Sequence, residues 1–132
     1  MDNKNIKRGD IFLVDLGDNE GTSMQSKVRA CIVVSNDKAN KFSPVIHVVP
    51  LTTKNKNKLP THVVVGTDSG LQQESVAMAE QTVFVCKSSV LKKVGEVDGL
   101  ILDKLDMALA IQFGIMDKIN KILEYQNKLA RC

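Results

Sequence analysis

The sequence predicts a mainly β fold finished by C-terminal helices, because three features agree. The first hundred residues carry short apolar runs rich in Val and Ile, separated by polar connectors containing Gly, Pro or Asn. The last third switches to apolar steps of three and four. No internal repeat or low-complexity linker interrupts the 132 residues, so one domain, or one domain with an appendage, accounts for them. Short strands followed by a helix imply a curled antiparallel sheet or small barrel.

Each element has its own signal. Asp10–Asp15 is brief, β-rich and bounded by Gly9 and Gly17. A polar loop follows over 17–27. The near-continuous apolar run 28–35 suits a central strand covered on both faces. Residues 36–44 read as a second polar connector, and Val45–Thr52 as a third strand. Thr53 begins a turn holding Lys54, Lys56 and Lys58. Pro60 precedes a fourth strand over 61–65, where an edge tolerates its missing N–H. The stretch 75–86 reads as one long strand or a bent pair, and 95–97 as a last short strand. Asp98 is placed to cap a helix whose apolar face comprises Ile101, Leu102, Leu105, Ala108, Leu109 and Phe113, with Gly114 as its end. Ile115, Ile119, Ile122, Gln126 and Leu129 then alternate by four and three. Two heptads are too few for a self-sufficient coiled coil, so this segment is expected to dock on the barrel, a sister subunit or a partner.

Composition narrows the function classes. Charged residues make up 25% and the formal charge is +3, which permits a polyanionic partner without requiring one. With no Trp and one Tyr, broad aromatic stacking platforms are not expected. Cys31 and Cys86 sit in apolar runs and read as buried, reduced thiols. Together with the distant Cys132 they form no Cys-x-x-Cys pair, so no metal site is expected. The polar N-terminus does not read as a signal peptide, and no run approaches the ~18 residues of a membrane span. A cytoplasmic protein with no membrane partner is the expectation. Phosphate-loop, dinucleotide and nucleophile-elbow motifs are all missing.

Two positions remain. Arg29 stands where the polar loop meets a buried strand, and a guanidinium there can bind phosphate in a fork and stabilise developing negative charge. Thr52 stands at the exit of the third strand, where its hydroxyl can bond a phosphate oxygen. The plainer readings are an ion-paired arginine and a turn-capping threonine. His47, on the strand face opposite Thr52, and His62, at the start of the next strand, read better as structural histidines.

These pieces together resemble the MazF/PemK toxin ribonucleases. The matching blocks are Lys7-Arg8-Gly9-Asp10-Ile11 with Asp15-Leu16; Val28-Arg29 with Ile32-Val33-Val34-Ser35-Asn36-Asp37; and Asn40-Lys41-Phe42-Ser43-Pro44. Val49-Pro50-Leu51-Thr52, Leu59-Pro60-Thr61-His62-Val63, Ser75-Val76-Ala77-Met78-Ala79-Glu80-Gln81 and the helix over 106–115 complete them. The resemblance implies an SH3-like barrel of the MazF/PemK (CcdB-like) type that forms a homodimer, with RNA lying at the dimer interface. It divides the chain into a barrel with its closing helix, 1–115, and a helical extension, 116–132. It implies a toxin restrained by a cognate antitoxin, cutting single-stranded RNA by 2′-hydroxyl attack without cofactor or metal. Arg29 and Thr52 carry over as catalytic. Thr22, Ser23, Lys27, Thr53, Lys54 and Gln81 are the expected RNA contacts. Ala30 replaces the family's usual Pro, and the 17–27 loop lacks its common Gly-Gly, so the RNA motif does not carry over. Two alternatives stay open: a CcdB-like toxin that binds DNA gyrase through its C-terminal helix, and a nucleic-acid-binding regulator without catalysis.

Overall fold

A computed structural model describes residues 5–17, 28–54 and 58–130. The expected antiparallel sheet is present. It contains β1 (Asp10–Asp15), β2 (Val28–Val33), β3 (Val45–Thr52), β4 (His62–Val65), β5 (Ser75–Met78), β6 (Val83–Cys86) and β7 (Val90–Glu96). The strand order is β4-β5-β3-β2-β1-β7, with β6 also paired to β3. β3 makes the sheet curl. Its first half, Val45 to Val48, pairs with β6, and its end, Leu51 and Thr52, pairs with β5. Among the described residues β4 and β7 do not pair, so the curled sheet stops short of a closed barrel.

Alternation along the strands builds two cores. Ile11, Ile32, Val49, Leu51, Val63 and Ala77 point to one side, where Leu105 and Ala108 of helix α2 (Gly99–Gln112) cover them. Phe12, Val14, Cys31, Val33, Ile46 and Val48 point to the other, with Ile6, Val85 and Val90. Asp98 caps α2 by accepting the Ile101 N–H at 2.9 Å. Gly114, at φ +70°, ends that helical path. Arg8 ties the layers together. Its side chain donates to the Val34 carbonyl and pairs with Asp106 of α2, while its backbone N–H donates to Asp37.

Several expectations need correction. Residues 36–44 are not a plain connector: they hold helix α1 (Asp37–Phe42), capped by the Asn36 side chain with its Asn40 buried. Six residues are too few to show helical periodicity. The 75–86 stretch is the bent-pair alternative, broken by a 3-10 turn at Ala79–Gln81. The final strand begins five residues earlier than 95. As an edge strand rich in lysine, with bulges against β1, it shows no clean alternation. β2 is buried only at Cys31, Ile32 and Val33, so its entrance is not covered on both faces. Cys86 is exposed, because Val85 takes the inward position of β6. Helix α3 (Met116–Ala130) has no buried residue, which removes docking on the barrel and leaves a second copy or a partner.

Candidate functional site

The end of β3 and the entrance of β2 open into a cleft of about 1220 Å³. Its walls come from β2 (Arg29, Ala30), the β3 exit (Leu51 to Lys54), the β4–β5 connection (Gly70 to Gln73), the turn after β5 (Glu80, Gln81) and β7 (Lys92 to Val94). The cleft exists because β3 leaves β2 for β5. Cys31 lies opposite Pro50 and Ile32 opposite Val49, so each pair of residue numbers sums to 81. Arg29 and Thr52 each stand two residues beyond the last paired positions, Cys31 and Pro50. The paired ladder ends at Cys31, leaving the two side chains on the walls of an open space.

Arg29 is half-buried and has no carboxylate partner among the described residues. Its charge bears on the neighbouring thiol. Burial pushes Cys31 up to about 12, against the opposing pull of the Arg29 charge. That thiol therefore stays protonated. Thr52 does cap its turn, since its Oγ1 accepts the Lys54 N–H at 3.1 Å. The hydroxyl proton remains available for donation into the cleft. The capping and phosphate-binding readings are therefore compatible.

Thr53, Lys54 and Gln81, named above as expected RNA contacts, line the cleft. Thr22, Ser23, Lys27 and Lys56 lie outside the described residues. His47 does not line the cleft; it is exposed on β3, its ring 6.1 Å from that of Phe84. His62, by contrast, is a wall residue. Its Nε2 lies 2.9 Å from Glu80 Oε2, and the Thr61 hydroxyl donates to the other carboxylate oxygen at 2.7 Å. Burial raises the Glu80 carboxyl, but hydrogen bonds from Thr61, His62 and the backbone outweigh it and hold the group below its usual range. Sequence reading missed Glu80 because its partners lie 18 and 19 positions away. Only the β4–β5 register brings them together.

Three more features shape the cleft. Lys92 adds a cation with no described carboxylate partner, while Lys93 is held by Asp10 at 3.3 Å and Glu96 at 3.4 Å. Gly70 and Gly95 let the β4–β5 connection lie directly on β7. A Cβ at Gly95 would stand 1.9 Å from the Ser69 carbonyl oxygen. No cluster of three or more potential metal-binding side chains occurs among the described residues, and no helix there is long and apolar enough to cross a membrane. An open groove lined by Arg29, Lys54, Lys92 and Lys93 against one carboxylate, Glu80, with a threonine hydroxyl that can still donate, is suited to an extended polyanion.

Comparison with known proteins agrees with this geometry. The model of the PemK-like, MazF-like toxins of type II toxin–antitoxin systems matches residues 7–113. Endoribonuclease EndoA of Bacillus subtilis (strain 168) is 37% identical over 114 residues, covering 85% of this chain and 97% of that protein. A mycobacterial endoribonuclease solved in complex with its cognate antitoxin superposes with a TM-score of 0.70 at 26% identity, covering 83% of this chain and 96% of the other. MazF from Deinococcus radiodurans shares the fold at 17% identity, with a TM-score of 0.72 over 85% of this chain and 99% of its own.

Proposed function

The chain belongs to the PemK-like, MazF-like toxins of type II toxin–antitoxin systems, and from that premise we propose that it is a cytoplasmic, sequence-specific endoribonuclease restrained by a cognate antitoxin. It acts as a homodimer whose barrel is residues 1–115. The observation that carries this reading is Arg29, with no described carboxylate partner, sharing a cleft with the Thr52 hydroxyl.

The chemistry needs little covalent help from the protein. The ribose 2′-oxygen attacks the adjacent phosphorus, the bond to the 5′-oxygen breaks, and a 2′,3′-cyclic phosphate and a 5′-hydroxyl result. The substrate brings its own nucleophile, so the enzyme must align the attack and neutralise the charge growing on the phosphorane oxygens. Arg29 serves as the fork on those oxygens, and Thr52 donates its hydroxyl proton to one of them. Such a fixed donor typically contributes 10²–10³ in rate. Arginine is a poor proton carrier at neutral pH. The His62–Glu80 pair on the cleft wall supplies groups suited to proton exchange. Lys54, Lys92, Thr53 and Gln81 hold the strand along the groove, together with Thr22, Ser23 and Lys27 of the 17–27 loop.

The relative solved with its cognate antitoxin supports an antitoxin partner here too. The test is direct. Purified full-length protein is incubated with a defined single-stranded RNA in excess EDTA, and the new ends are sequenced and phosphorylated. Cutting at one short motif, leaving 5′-hydroxyl ends, is expected. Intact RNA, or cleavage that EDTA abolishes, overturns the proposal.

A further inference from the structure

One wall of the cleft carries side chains that the cleavage chemistry does not use. Gln72 and Gln73, on the connection between β4 and β5, line the cleft and are exposed. Neither side-chain amide has a hydrogen-bond partner among the described residues. Their backbone, by contrast, is fixed. The Gln73 carbonyl accepts the Ser75 hydroxyl at 3.1 Å, and Ser75 pairs with Val65 in the β4–β5 ladder. Gly70, two residues before Gln72, lies directly on Val94 and Gly95 of β7. Free amides on a fixed backbone can meet a ligand at a small ordering cost.

What they can recognise follows from the rest of the cleft, read as an RNA groove as proposed above. Base edges differ in the order of their donors and acceptors, so choosing among four bases requires groups that do both. Most polar groups of the cleft do not. Arg29, Lys54, Lys92 and Lys93 only donate, which suits phosphate. The Glu80 carboxylate is occupied by Thr61 and His62. No Phe, Tyr or Trp lines the cleft among the described residues, so stacking strength on such rings cannot supply the choice. A glutamine amide holds an acceptor oxygen beside two donor hydrogens and can bond one base edge at two points. Gln81 shares this chemistry and is already an expected RNA contact; Gln72 and Gln73 are not.

We propose that Gln72 and Gln73 are specificity-determining residues, their amides bonding the edge of an unpaired base held in the cleft. The lysines hold any strand, and the amides decide which strand is cut.

The experiment uses the full chain, native and as four variants: Gln72→Ala with Gln73→Ala, Gln72→Glu with Gln73→Glu, Glu74→Ala and Lys92→Ala. Each is incubated with one randomised single-stranded RNA pool at several salt concentrations, and sequencing of the new 5′ ends gives the base preference at every position around the cut. Circular dichroism checks the fold. The alanine pair should lower the preference at one position or two adjacent ones about tenfold and leave the others intact. The glutamate pair keeps the length but loses the donors, so it should change which base is preferred there. Glu74→Ala, next in sequence but off the cleft wall, should keep the native preferences. Lys92→Ala should slow all sequences alike and flatten the salt dependence. A folded alanine pair that keeps the native motif, or that slows all sequences equally, overturns the proposal and leaves the cleavage reading standing. The glutamate pair decides in the same way where the alanine pair does not fold. A native chain that leaves the pool intact overturns both.

Discussion

Replacing Gly95 by alanine probes how tightly the cleft wall is built. The new Cβ would lie 1.9 Å from the Ser69 carbonyl oxygen and 2.9 Å from the Ser69 carbonyl carbon, both backbone atoms that no rotamer change can move. Ordinary contact needs about 3.4 Å, so the 3-10 turn at Thr67–Ser69 and the following Gly70 must withdraw by the difference, about 1.5 Å. Gly70 has no slack to offer, since its φ is +108° and its own Cβ position faces the Val94 carbonyl oxygen at 2.5 Å. Overpacking of this kind costs about 1–3 kcal/mol, and a backbone clash belongs at the upper end. For a domain of this size, 2–3 kcal/mol lowers Tm by roughly 10 °C. Because Gly70, Leu71, Gln72 and Gln73 form one wall, RNA cleavage by the folded fraction should fall as well. Differential scanning calorimetry at matched concentration, followed by cleavage assays well below Tm, checks both effects. A Gly95→Ala protein that melts within 2 °C of the native chain and cuts normally would refute the close packing of that loop on β7.

Other expectations follow from the same structure. Thr52→Val removes both the Lys54 cap and the donated proton, so it should lower the cleavage rate by about 10²-fold and stability by about 1 kcal/mol, whereas Thr52→Ser keeps most of each; single-turnover rates and urea midpoints separate the two effects. Glu80 and Asp37 both have folded-state values below their unfolded ones: Glu80 through its bonds to Thr61 and His62 outweighing burial, Asp37 chiefly through the Arg8 backbone N–H. A depressed carboxyl contributes stability above the unfolded value and loses it as pH falls through the folded one. The stability gap between the native chain and Glu80→Gln should therefore be full at neutral pH and narrow as pH falls through the folded-state value of Glu80, as urea midpoints will show. Iodoacetamide under native conditions should label Cys86 and leave Cys31 unmodified by peptide mass mapping, because Cys86 is exposed while burial holds the Cys31 thiol protonated.

The parts of the fold legible in sequence were those with a strong local signal. β1 and β3 have the bounds their composition implies, and Asp98 and Gly114 bracket α2 because caps and left-handed glycines are written in single residues. The misses were features decided by distant contacts. α1 depends on Asn36 capping a six-residue turn that also buries Asn40 against Ser35. β7 is held by β1 across some eighty residues of sequence, so its alternation is blurred by bulges. At the cleft, Arg29 and Thr52 drew notice because both sit where a strand meets a loop, and the family resemblance, not that placement, favoured them over an ion-paired arginine and a turn-capping threonine. The His62–Glu80 pair was not, because no spacing in the chain marks two side chains that meet only through the β4–β5 ladder.

The central claim is that Arg29 acts as a forked positive charge on the scissile phosphate. Single-turnover cleavage of one RNA by the native chain, Arg29→Lys and Arg29→Ala, with circular dichroism and sedimentation as controls on fold and assembly, addresses it most directly. The account predicts unchanged fold and assembly, a loss of at least 10³-fold in Arg29→Ala, and only partial recovery in Arg29→Lys, since a point charge cannot span two oxygens. A correctly folded Arg29→Ala protein that cuts at the native rate contradicts it. A native chain that cuts nothing and instead binds gyrase would contradict it as well.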